Sequence, residues 1–377
     1  MRVGLFYDMD ACHAATGVTR HALSQLERLM RRPDIALRVL TGRITHPDGA
    51  AYWSSLEGQA RWELPLRTRD ILRWWRVQSW PSIEWWSGSL EWIYCPAEFL
   101  IPTRNARLAV TSHDVLQTLR FEPARKRHRL GRIFQAADLI LSVSQFNTDR
   151  LLEAFPSCQN RVVYVPNAAD DLFFDAVPDD ERCRVRADLD LPGQIPYLLS
   201  VANFQPRKNL VRFIHAALRL PEVAAGELAI VLIGTGADQE ARLLREAAAA
   251  GGARVVFRMP GYRQGHALRA CYAEASALVF PSLCESFGIP AVEAMAQGAP
   301  VALADSTALP EIGGEAGWYF DPTDEGAITA SLRSLLDDDH ERARRASLGK
   351  TIAAKYRWGK ANDLLVRALA DRSGRVS

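Results

Sequence analysis

A chain of 377 residues with 48% apolar and 24% charged content is typical of a globular protein with room for two domains. Its net charge of +2 at pH 7 is too small to indicate wholesale binding to nucleic acid, although local patches can differ. Six cysteines are scattered without a C-x-x-C pair, which fits a reducing cytosol better than a disulfide framework or a zinc site.

The first predicted elements alternate between strand and helix. Val3 to Tyr7 is a short apolar strand, a loop and an amphipathic helix follow, and Ala36 to Thr41 is the next strand. This alternation is typical of a doubly wound parallel sheet, whose ligands bind at the carboxyl ends of the strands. Gly17 therefore lies where a loop would face a ligand, although a plain helix start explains the same residues. Early charges and the lack of a long apolar run predict neither export nor a membrane-spanning anchor.

Two Asp-x-Asp tripeptides occur, at positions 8–10 and 188–190. In some nucleotide-sugar enzymes such a pair holds a divalent metal on a diphosphate. The tripeptide is common enough to arise by chance, and neither copy lies in the surroundings that this role requires. We therefore expect no metal site.

Aromatic and basic residues are concentrated in two stretches. Residues 52–92 contain eight of the ten tryptophans, interleaved with arginines. Core packing and contact with a membrane interface or acceptor sugar rings are both open explanations for them. Residues 120–132 contain six Lys or Arg and no acid after Glu122. This stretch is either a solvated helix face or a surface for anionic lipid, so peripheral membrane contact through 62–86 or 120–132 is an open prediction.

His113 and Asp114 follow an apolar strand that ends at Ser112. A lone His-Asp pair is more often a loop turn than a catalytic dyad. Strand, helix and strand then close the first domain, and residues 170–192 have no clean period, which predicts an interdomain linker. The second domain opens with a strand over 196–202, and Arg207 and Lys208 follow it. Such a cation pair can neutralise a diphosphate leaving group.

Residues 277–305 read as strand, loop, helix and strand. If the helix begins at Pro290, the residues before it, Gly288 and Ile289, have no side-chain oxygen to cap the N–H groups, so an anion can bind there. Glu285 lies in the loop. Glu293, one turn into the helix, is placed to accept hydrogen bonds from two ribose hydroxyls, or else only complements the helix dipole.

The string from Glu285 to Glu293 around SFGIP, followed by AVEAMAQGAPVA, closely resembles the donor-nucleotide segment of retaining GT-B glycosyltransferases of family 4. The T-x-HD element that ends in His113 and Asp114, the Arg207–Lys208 loop and the segment PEIGGEAG are similar to further elements of that family. The resemblance covers nearly the whole chain. It is strongest over 196–325 and thin over 44–105.

The resemblance implies an α/β fold of GT-B architecture, with two Rossmann-like domains facing a cleft. Residues 1–170 would form the acceptor domain, residues 190–356 the donor domain, and a C-terminal helix over 357–372 would cross back to the first domain. It also implies site residues. Those with a catalytic role are His113, Glu285, Lys208 and Arg207, and those that bind the donor are Gly17, Arg207, Lys208, Ser286, Phe287, Gly288 and Glu293.

The function that the resemblance implies is retaining transfer of a hexose from a nucleotide sugar, without a metal or other cofactor. Mannose from GDP-mannose is the favoured donor, and a glycan or polyprenyl-diphosphate-linked acceptor in polysaccharide or glycoconjugate biosynthesis is the expected partner. We expect a cytoplasmic enzyme, with the inner face of the plasma membrane as an open alternative. A sugar-nucleotide epimerase and an inactive sugar-nucleotide-binding partner of a transferase complex remain alternatives. The linkage and oligomeric state stay open.

Overall fold

The computed structural model describes residues 1–14, 16–56 and 58–372, and the chain divides into two compact units. The first unit comprises residues 1–167 and the C-terminal segment that begins at Trp358, and the second comprises Ala168–Arg357. Within the described residues, no helix combines the length and the apolar character that crossing a bilayer requires.

The first unit is built on a parallel sheet with helices between its strands. Its elements are β1 (Arg2–Phe6), α1 (Gly17–Met30), β2 (Ala36–Thr41), α2 (Pro47–Ser55), β3 (Ala60–Glu63), α3 (Thr68–Trp75), α4 (Glu84–Ser87), β4 (Trp92–Cys95), β5 (Arg107–Ser112), α5 (Val115–Phe121), α6 (Ala124–Ala136), β6 (Leu139–Ser142), α7 (Gln145–Ala154) and β7 (Val162–Tyr164). The strand order is β3-β2-β1-β4-β5-β6-β7, so it reverses between β1 and β4.

The second unit repeats this plan. Its elements are α8 (Asp179–Asp188), β8 (Tyr197–Val201), α9 (Leu210–Ala217), α10 (Pro221–Ala225), β9 (Ala229–Ile233), α11 (Asp238–Ala249), β10 (Phe257–Gly261), α12 (Gly265–Glu274), β11 (Ala277–Phe280), α13 (Ile289–Gln297), β12 (Val301–Ala304), α14 (Leu309–Gly313), β13 (Gly317–Phe320), α15 (Glu325–Asp337) and α16 (Asp339–Ala353). The strand order is β10-β9-β8-β11-β12-β13, which reverses between β8 and β11.

The central strands of both sheets are continuous apolar runs rather than alternating patterns. Every residue of β9, β11 and β12 is buried, and so is every residue of β4 and β6. Helices on both faces of a parallel sheet produce this pattern, because neither face of the sheet meets solvent. The predicted doubly wound α/β fold is therefore confirmed in each unit.

The final helix, α17 (Trp358–Arg372), belongs to the first unit, as predicted. It packs against α1, where Asn362 Nδ2 donates to Gln25 Oε1 at 2.9 Å. Trp358 is buried, at 1% exposure, and its ring meets that of His21 edge to face at 5.5 Å.

Residues 170–192, predicted to form an interdomain linker, instead fold with the second unit. They contain α8, which packs on α12. Glu181 of α8 accepts a hydrogen bond from Arg269 of α12 at 2.6 Å, and Arg182 donates to Glu274 at 2.8 Å. The linker prediction rested on the lack of an apolar period, but this helix is held to its neighbour by charge as well as by apolar packing.

Some tryptophans of residues 52–92 are core residues, as the packing explanation predicts, and others are exposed. Trp75 and Trp92 are core residues, at 1% and 0% exposure. Trp74, Trp80 and Trp85 are instead 50%, 66% and 71% exposed. Core packing therefore accounts for only part of this stretch.

Candidate functional site

The second unit brings three predicted site residues together where its strand order reverses. Arg207 and Lys208 follow β8, and Glu285 follows β11. These two strands pair directly, and the sheet continues outward from each in opposite directions. In an open parallel sheet, ligands bind outside the carboxyl ends of the strands at such a point. The three residues thus lie where this topology forms a binding crevice.

Lys208 and Glu285 form a largely buried ion pair. Lys208 Nζ donates to Glu285 Oε1, and Arg207 Nη1 lies 3.7 Å from the same oxygen. The side chains of Lys208 and Glu285 are each 11% exposed, and that of Arg207 is 21% exposed. Two cations share one carboxylate, so this cluster of three side chains has a net positive charge. That excess suits an anionic ligand such as a diphosphate.

Hydrogen bonds fix the loop that carries Glu285. Its backbone N–H donates to Thr307 Oγ1 at 3.1 Å, and Asn209 Nδ2 donates to the carbonyl oxygen of Pro281 at 3.1 Å. The Asn209 backbone is left-handed, with φ of 59°, a conformation that asparagine tolerates better than most residues. Sequence reasoning missed Asn209 and Thr307, because their roles depend on contacts with residues distant in the chain.

The N-terminus of α13 is not capped by a side chain from the described part of the chain. Its N-cap is Gly288, and the first helical residue is Ile289, one position before the predicted start at Pro290. Ser286 and Phe287 are buried, at 5% and 3% exposure, and Gly288 is buried as well. Because water is largely excluded, the N–H groups here would bind an anion more strongly than on an open surface.

Glu293 is buried one turn into α13, with only 1% of its surface exposed. The hydroxyl of Tyr272, on α12, donates to Glu293 Oε2 at 2.9 Å. Glu293 is therefore more than a surface group that complements the helix dipole. A carboxylate oxygen can accept more than one hydrogen bond, so this contact leaves Glu293 able to accept from a ribose hydroxyl. Replacement of Glu293 by alanine would remove this bond and cost on the order of 1–3 kcal/mol of stability.

In the first unit, His113 follows β5, directly after the strand end predicted at Ser112. It is 5% exposed, and its Nε2 lies 2.9 Å from the carbonyl oxygen of Pro96. A carbonyl oxygen only accepts, so Nε2 carries the proton and Nδ1 is an acceptor. Burial lowers the pKa of His113, which keeps the ring neutral at pH 7. The ring can therefore accept a hydrogen bond from a sugar hydroxyl.

A second histidine, His21 of α1, packs against His113. The two rings meet edge to face, with centroids 4.9 Å apart. His21 Nδ1 lies 2.9 Å from Asn167 Oδ1, and its Nε2 lies 2.9 Å from the Tyr94 hydroxyl. Burial lowers the pKa of His21 well below its ordinary value. Sequence reasoning missed His21 and Asn167, because nothing in the local pattern links a helix residue to a strand end so far along the chain.

Glu98 holds the turn that contains His113. It follows β4, and its Oε1 accepts the His113 backbone N–H at 2.9 Å. Burial raises the pKa of Glu98 to about 7, although the hydrogen bond from the His113 backbone N–H acts in the opposite direction and lowers it. No pattern in the sequence pointed to this carboxyl group.

Gly17 is the exposed first residue of α1. Thr16 Oγ1 accepts the Thr19 N–H at 3.1 Å, which is the geometry of a capped helix start. The contact of α1 with His113 comes from His21, one turn further along. The glycine loop expected near the donor is thus, in this structure, the N-terminus of a helix.

Among the described residues, His13, His46 and Asp48 bring possible metal-ligand atoms within 4.8 Å of one another. The two rings stack in parallel, 4.0 Å apart at 10°. A metal lies about 2 Å from each ligand nitrogen, in the plane of its ring, and two stacked rings cannot both meet that condition. Asp10 of the first Asp-x-Asp accepts the His46 backbone N–H at 2.9 Å and is engaged in this loop. The two stacked histidines therefore do not form a preformed metal site.

The amino-acid sequence matches known proteins. The model of the family described as glycosyl transferases group 1 matches residues 182–351. The O-antigen chain mannosyltransferase B of Escherichia coli is 30% identical over 274 residues, which cover 71% of this chain and 71% of that protein.

Solved structures are similar in fold. A glycosyltransferase from Rickettsia africae has a TM-score of 0.76 at 10% identity, covering 100% of this chain and 99% of that one. Anabaena Alr3699/HepE in complex with UDP has a TM-score of 0.75 at 15% identity, covering 98% of this chain and 100% of that one. At such identities the structures show the fold alone, which is the predicted GT-B architecture.

Proposed function

The chain belongs to the glycosyl transferases group 1 family and is a nucleotide-sugar-dependent hexosyltransferase, and we propose that it transfers mannose from GDP-mannose with retained anomeric configuration and without a metal ion. The acceptor is a glycan or a polyprenyl-diphosphate-linked sugar, at the cytoplasmic side of a membrane. The mannosyl assignment is supported by the Escherichia coli relative, an O-antigen chain mannosyltransferase. The observation that carries the proposal is the Arg207, Lys208 and Glu285 cluster where the sheet order reverses.

The leaving diphosphate is stabilised by charge. Arg207, Lys208 and the N–H groups at the start of α13 bind its oxygens, and Glu293 binds the ribose. As the bond from the sugar to the diphosphate breaks, negative charge grows on the diphosphate, and cations already fixed beside it lower the barrier. Because these groups supply positive charge themselves, the proposal needs no metal ion.

The sugar is held by Glu285 and His113. Neutral His113 accepts a hydrogen bond from a sugar hydroxyl through Nδ1. The acceptor hydroxyl attacks the anomeric carbon on the face that the diphosphate leaves, and its proton passes to a diphosphate oxygen. The new bond to the anomeric carbon forms on the same face as the bond that breaks, so the configuration is retained. No covalent enzyme intermediate is part of the proposal.

The donor is tested by thermal shift of the purified protein with GDP, UDP, ADP and their sugar conjugates, with and without EDTA. A ligand at about 100 times its dissociation constant stabilises by about 2.7 kcal/mol. We expect GDP and GDP-mannose to raise the melting temperature equally with and without EDTA. A rise with UDP alone would replace the donor, and a rise that EDTA abolishes would overturn the metal-independent mechanism.

The reaction is tested with Lys208→Ala, because Lys208 is one of the two cations expected to bind the diphosphate. We expect turnover of GDP-mannose to fall by about 10²–10³-fold, as with other losses of a fixed electrostatic group. Lys355→Ala removes an exposed positive charge from the same unit and is the matched control. Proton NMR of the product reports the anomeric configuration. Conversion of GDP-mannose to another sugar nucleotide without an acceptor would instead identify an epimerase.

The ribose role of Glu293 is tested with Glu293→Gln, which keeps an oxygen near the Tyr272 hydroxyl. We expect the parent to bind GDP more tightly than 2′-deoxy-GDP, and the variant to lose most of that preference. If both proteins show the same preference, Glu293 does not bind the ribose.

A further inference from the structure

The first unit exposes a cluster of large apolar side chains, which we call the aromatic patch and define as Trp74, Val77, Trp80 and Trp85. These side chains are 50%, 83%, 66% and 71% exposed. Single exposed apolar residues are common on soluble proteins, but a cluster within twelve positions that includes three tryptophans is not. Such a cluster indicates a surface that binds something.

The aromatic patch is held in place by the core beneath it. The Trp74 indole N–H donates to the carbonyl oxygen of Trp80 at 2.8 Å, and the rings of Trp80 and Trp85 meet edge to face at 6.0 Å. Buried Trp75 donates its indole N–H to the carbonyl oxygen of Pro81 at 2.9 Å. The exposure of these rings is therefore a feature of the folded segment.

Basic side chains surround the aromatic patch. Arg73 and Arg76 are exposed beside Trp74, and Asp70 Oδ1 lies 3.8 Å from Arg73 Nη1. Arg132 of α6 donates to the carbonyl oxygen of Arg76 at 3.1 Å, which joins this helix to the patch.

The helix α6 extends the positive surface. Arg125, Arg129 and Arg132 recur at four- and three-residue spacing, so they share one face of the helix, and all three are exposed. Residues 124–136 contain no acidic residue. The exposed tryptophans thus adjoin a surface of arginines, and no acidic residue of α6 neutralises the positive charge of that surface.

We propose that the aromatic patch and this face of α6 dock the protein on an anionic phospholipid bilayer. Tryptophan is enriched at the boundary between headgroups and acyl chains, because its ring is apolar and its N–H is polar. Arginines at the same level attract anionic headgroups and bind phosphate with two parallel hydrogen bonds. This charge complementarity favours a lipid surface over a neutral sugar or a second, equally basic copy of the chain. The docking uses no residue of the nucleotide site.

Sedimentation of the full-length protein with vesicles tests this proposal. We expect binding to mixed phosphatidylglycerol–phosphatidylcholine vesicles that weakens with salt, and little binding to pure phosphatidylcholine vesicles. Substitution of both Trp80 and Trp85 by serine should lower the affinity at least about tenfold, and so should Arg76→Gln combined with Arg125→Gln.

Matched controls come from α11 in the second unit. Leu243→Ser removes an exposed apolar side chain, and Arg242→Gln with Arg245→Gln removes two exposed charges. We expect these variants to bind vesicles within about twofold of the parent. All variants should keep the parent melting temperature and its shift with GDP, which separates failure of docking from failure of the nucleotide site.

Several outcomes would overturn the proposal. It is overturned if the parent fails to bind anionic vesicles, if the Trp80 and Trp85 variant binds as the parent does, or if the α11 controls lose as much affinity. A loss of self-association in the tryptophan variant, without any change in vesicle binding, would assign the patch to a second copy of the chain. If the tryptophan variant differs from the parent only in a raised KM for a soluble acceptor, the aromatic patch binds the acceptor sugar.

Discussion

At the scale of single residues, Glu285 has opposite effects on sugar transfer and on nucleotide binding, because it neutralises the cations expected to bind the diphosphate. Its Oε1 accepts from Lys208 and lies 3.7 Å from Arg207. A diphosphate that binds these cations competes with Glu285 for them. The carboxylate is thus favourable for holding a sugar and unfavourable for holding the nucleotide.

Replacement of Glu285 by glutamine should therefore separate the two functions. We expect GDP to bind about three- to tenfold more tightly, because Lys208 and Arg207 lose their carboxylate partner, while sugar transfer slows. Calorimetry with GDP and turnover of GDP-mannose measure the two effects. Glu315→Gln removes an exposed charge from the same unit and should change neither. Weaker GDP binding by the Glu285 variant would show that the pair does not compete with the nucleotide.

The stability of the first unit should depend on the protonation of Glu98. Its pKa is raised by burial to about 7 in the folded state, with Asp114 raising it further and Arg129 lowering it. The folded state therefore holds this proton more tightly than the unfolded state. The stabilising contribution is complete below about pH 4.5 and is lost as pH rises through about 7.

Glu98→Gln keeps an acceptor for the His113 N–H but cannot ionise. As the pH rises from about 4.5 to 7, the parent loses stability through ionisation of Glu98 and the variant does not. We therefore expect the free energy of unfolding of the variant to rise relative to that of the parent by on the order of 1–3 kcal/mol. Hydrogen exchange of peptides that span β4 and β5 measures the difference. Glu153→Gln, at a carboxylate that is 60% exposed, is the control. A constant difference between the Glu98 variant and the parent across this range would contradict the prediction.

The sequence predicts a site residue when the position of that residue after an apolar strand is enough to place it at the edge of the sheet. Arg207, Lys208 and His113 follow apolar strands, and the ends of parallel strands meet along one edge of the sheet. His21 and Asn167 were not predictable, because they meet only in the folded unit, 146 residues apart. The Tyr272 contact that engages Glu293 is of the same kind.

At the scale of elements, the segment from β11 to β12 was predicted to within one residue. Its apolar runs, Pro290 and Gly298 give unambiguous boundaries. The helix α8 was missed, because its sequence DDERCRVRAD lacks an apolar period and only one of its residues is buried. Local pattern predicts an element when burial creates the pattern, and it fails when ion pairs hold the element in place.

The start of α13 requires glycine for two separable reasons. Gly288 has φ of 108°, and a Cβ there would lie 2.7 Å from Leu309 Cδ2. Gly252 also has positive φ, 90°, but a Cβ there would meet nothing within 4 Å. We expect Gly252→Ala to cost about 1 kcal/mol from backbone strain alone, and Gly288→Ala to cost about 2–4 kcal/mol from strain and overlap together.

Thermal unfolding compares these two variants, and GDP binding reports on the site. Gly288→Ala should weaken GDP binding as well, since it displaces the N–H groups at the helix start, while Gly252→Ala should leave binding unchanged. Equal costs for the two variants would mean that Leu309 moves aside and that only the backbone conformation matters.

At the scale of the whole molecule, the chain leaves the first unit after Asn167 and returns to it at Trp358. Asn362 of α17 bonds to Gln25 of α1 across 337 residues. The first unit therefore cannot complete its core until nearly the whole chain is present. The resemblance predicted this return, but composition and periodicity did not, since α17 has the same amphipathic pattern as any surface helix.

The returning helix should stabilise the first unit selectively. Leu365 and Leu369 of α17 are fully buried, whereas Leu364 on the same helix is 36% exposed. We expect Leu365→Ala or Leu369→Ala to cost about 2–5 kcal/mol, and Leu364→Ala less than about 1 kcal/mol. In hydrogen exchange, the core variants should lose protection in α1 and in the sheet of the first unit, while β11 and β12 of the second unit keep theirs. Equal loss of protection in both units would show that they unfold as one cooperative body, because a defect confined to one core would then be felt throughout the chain.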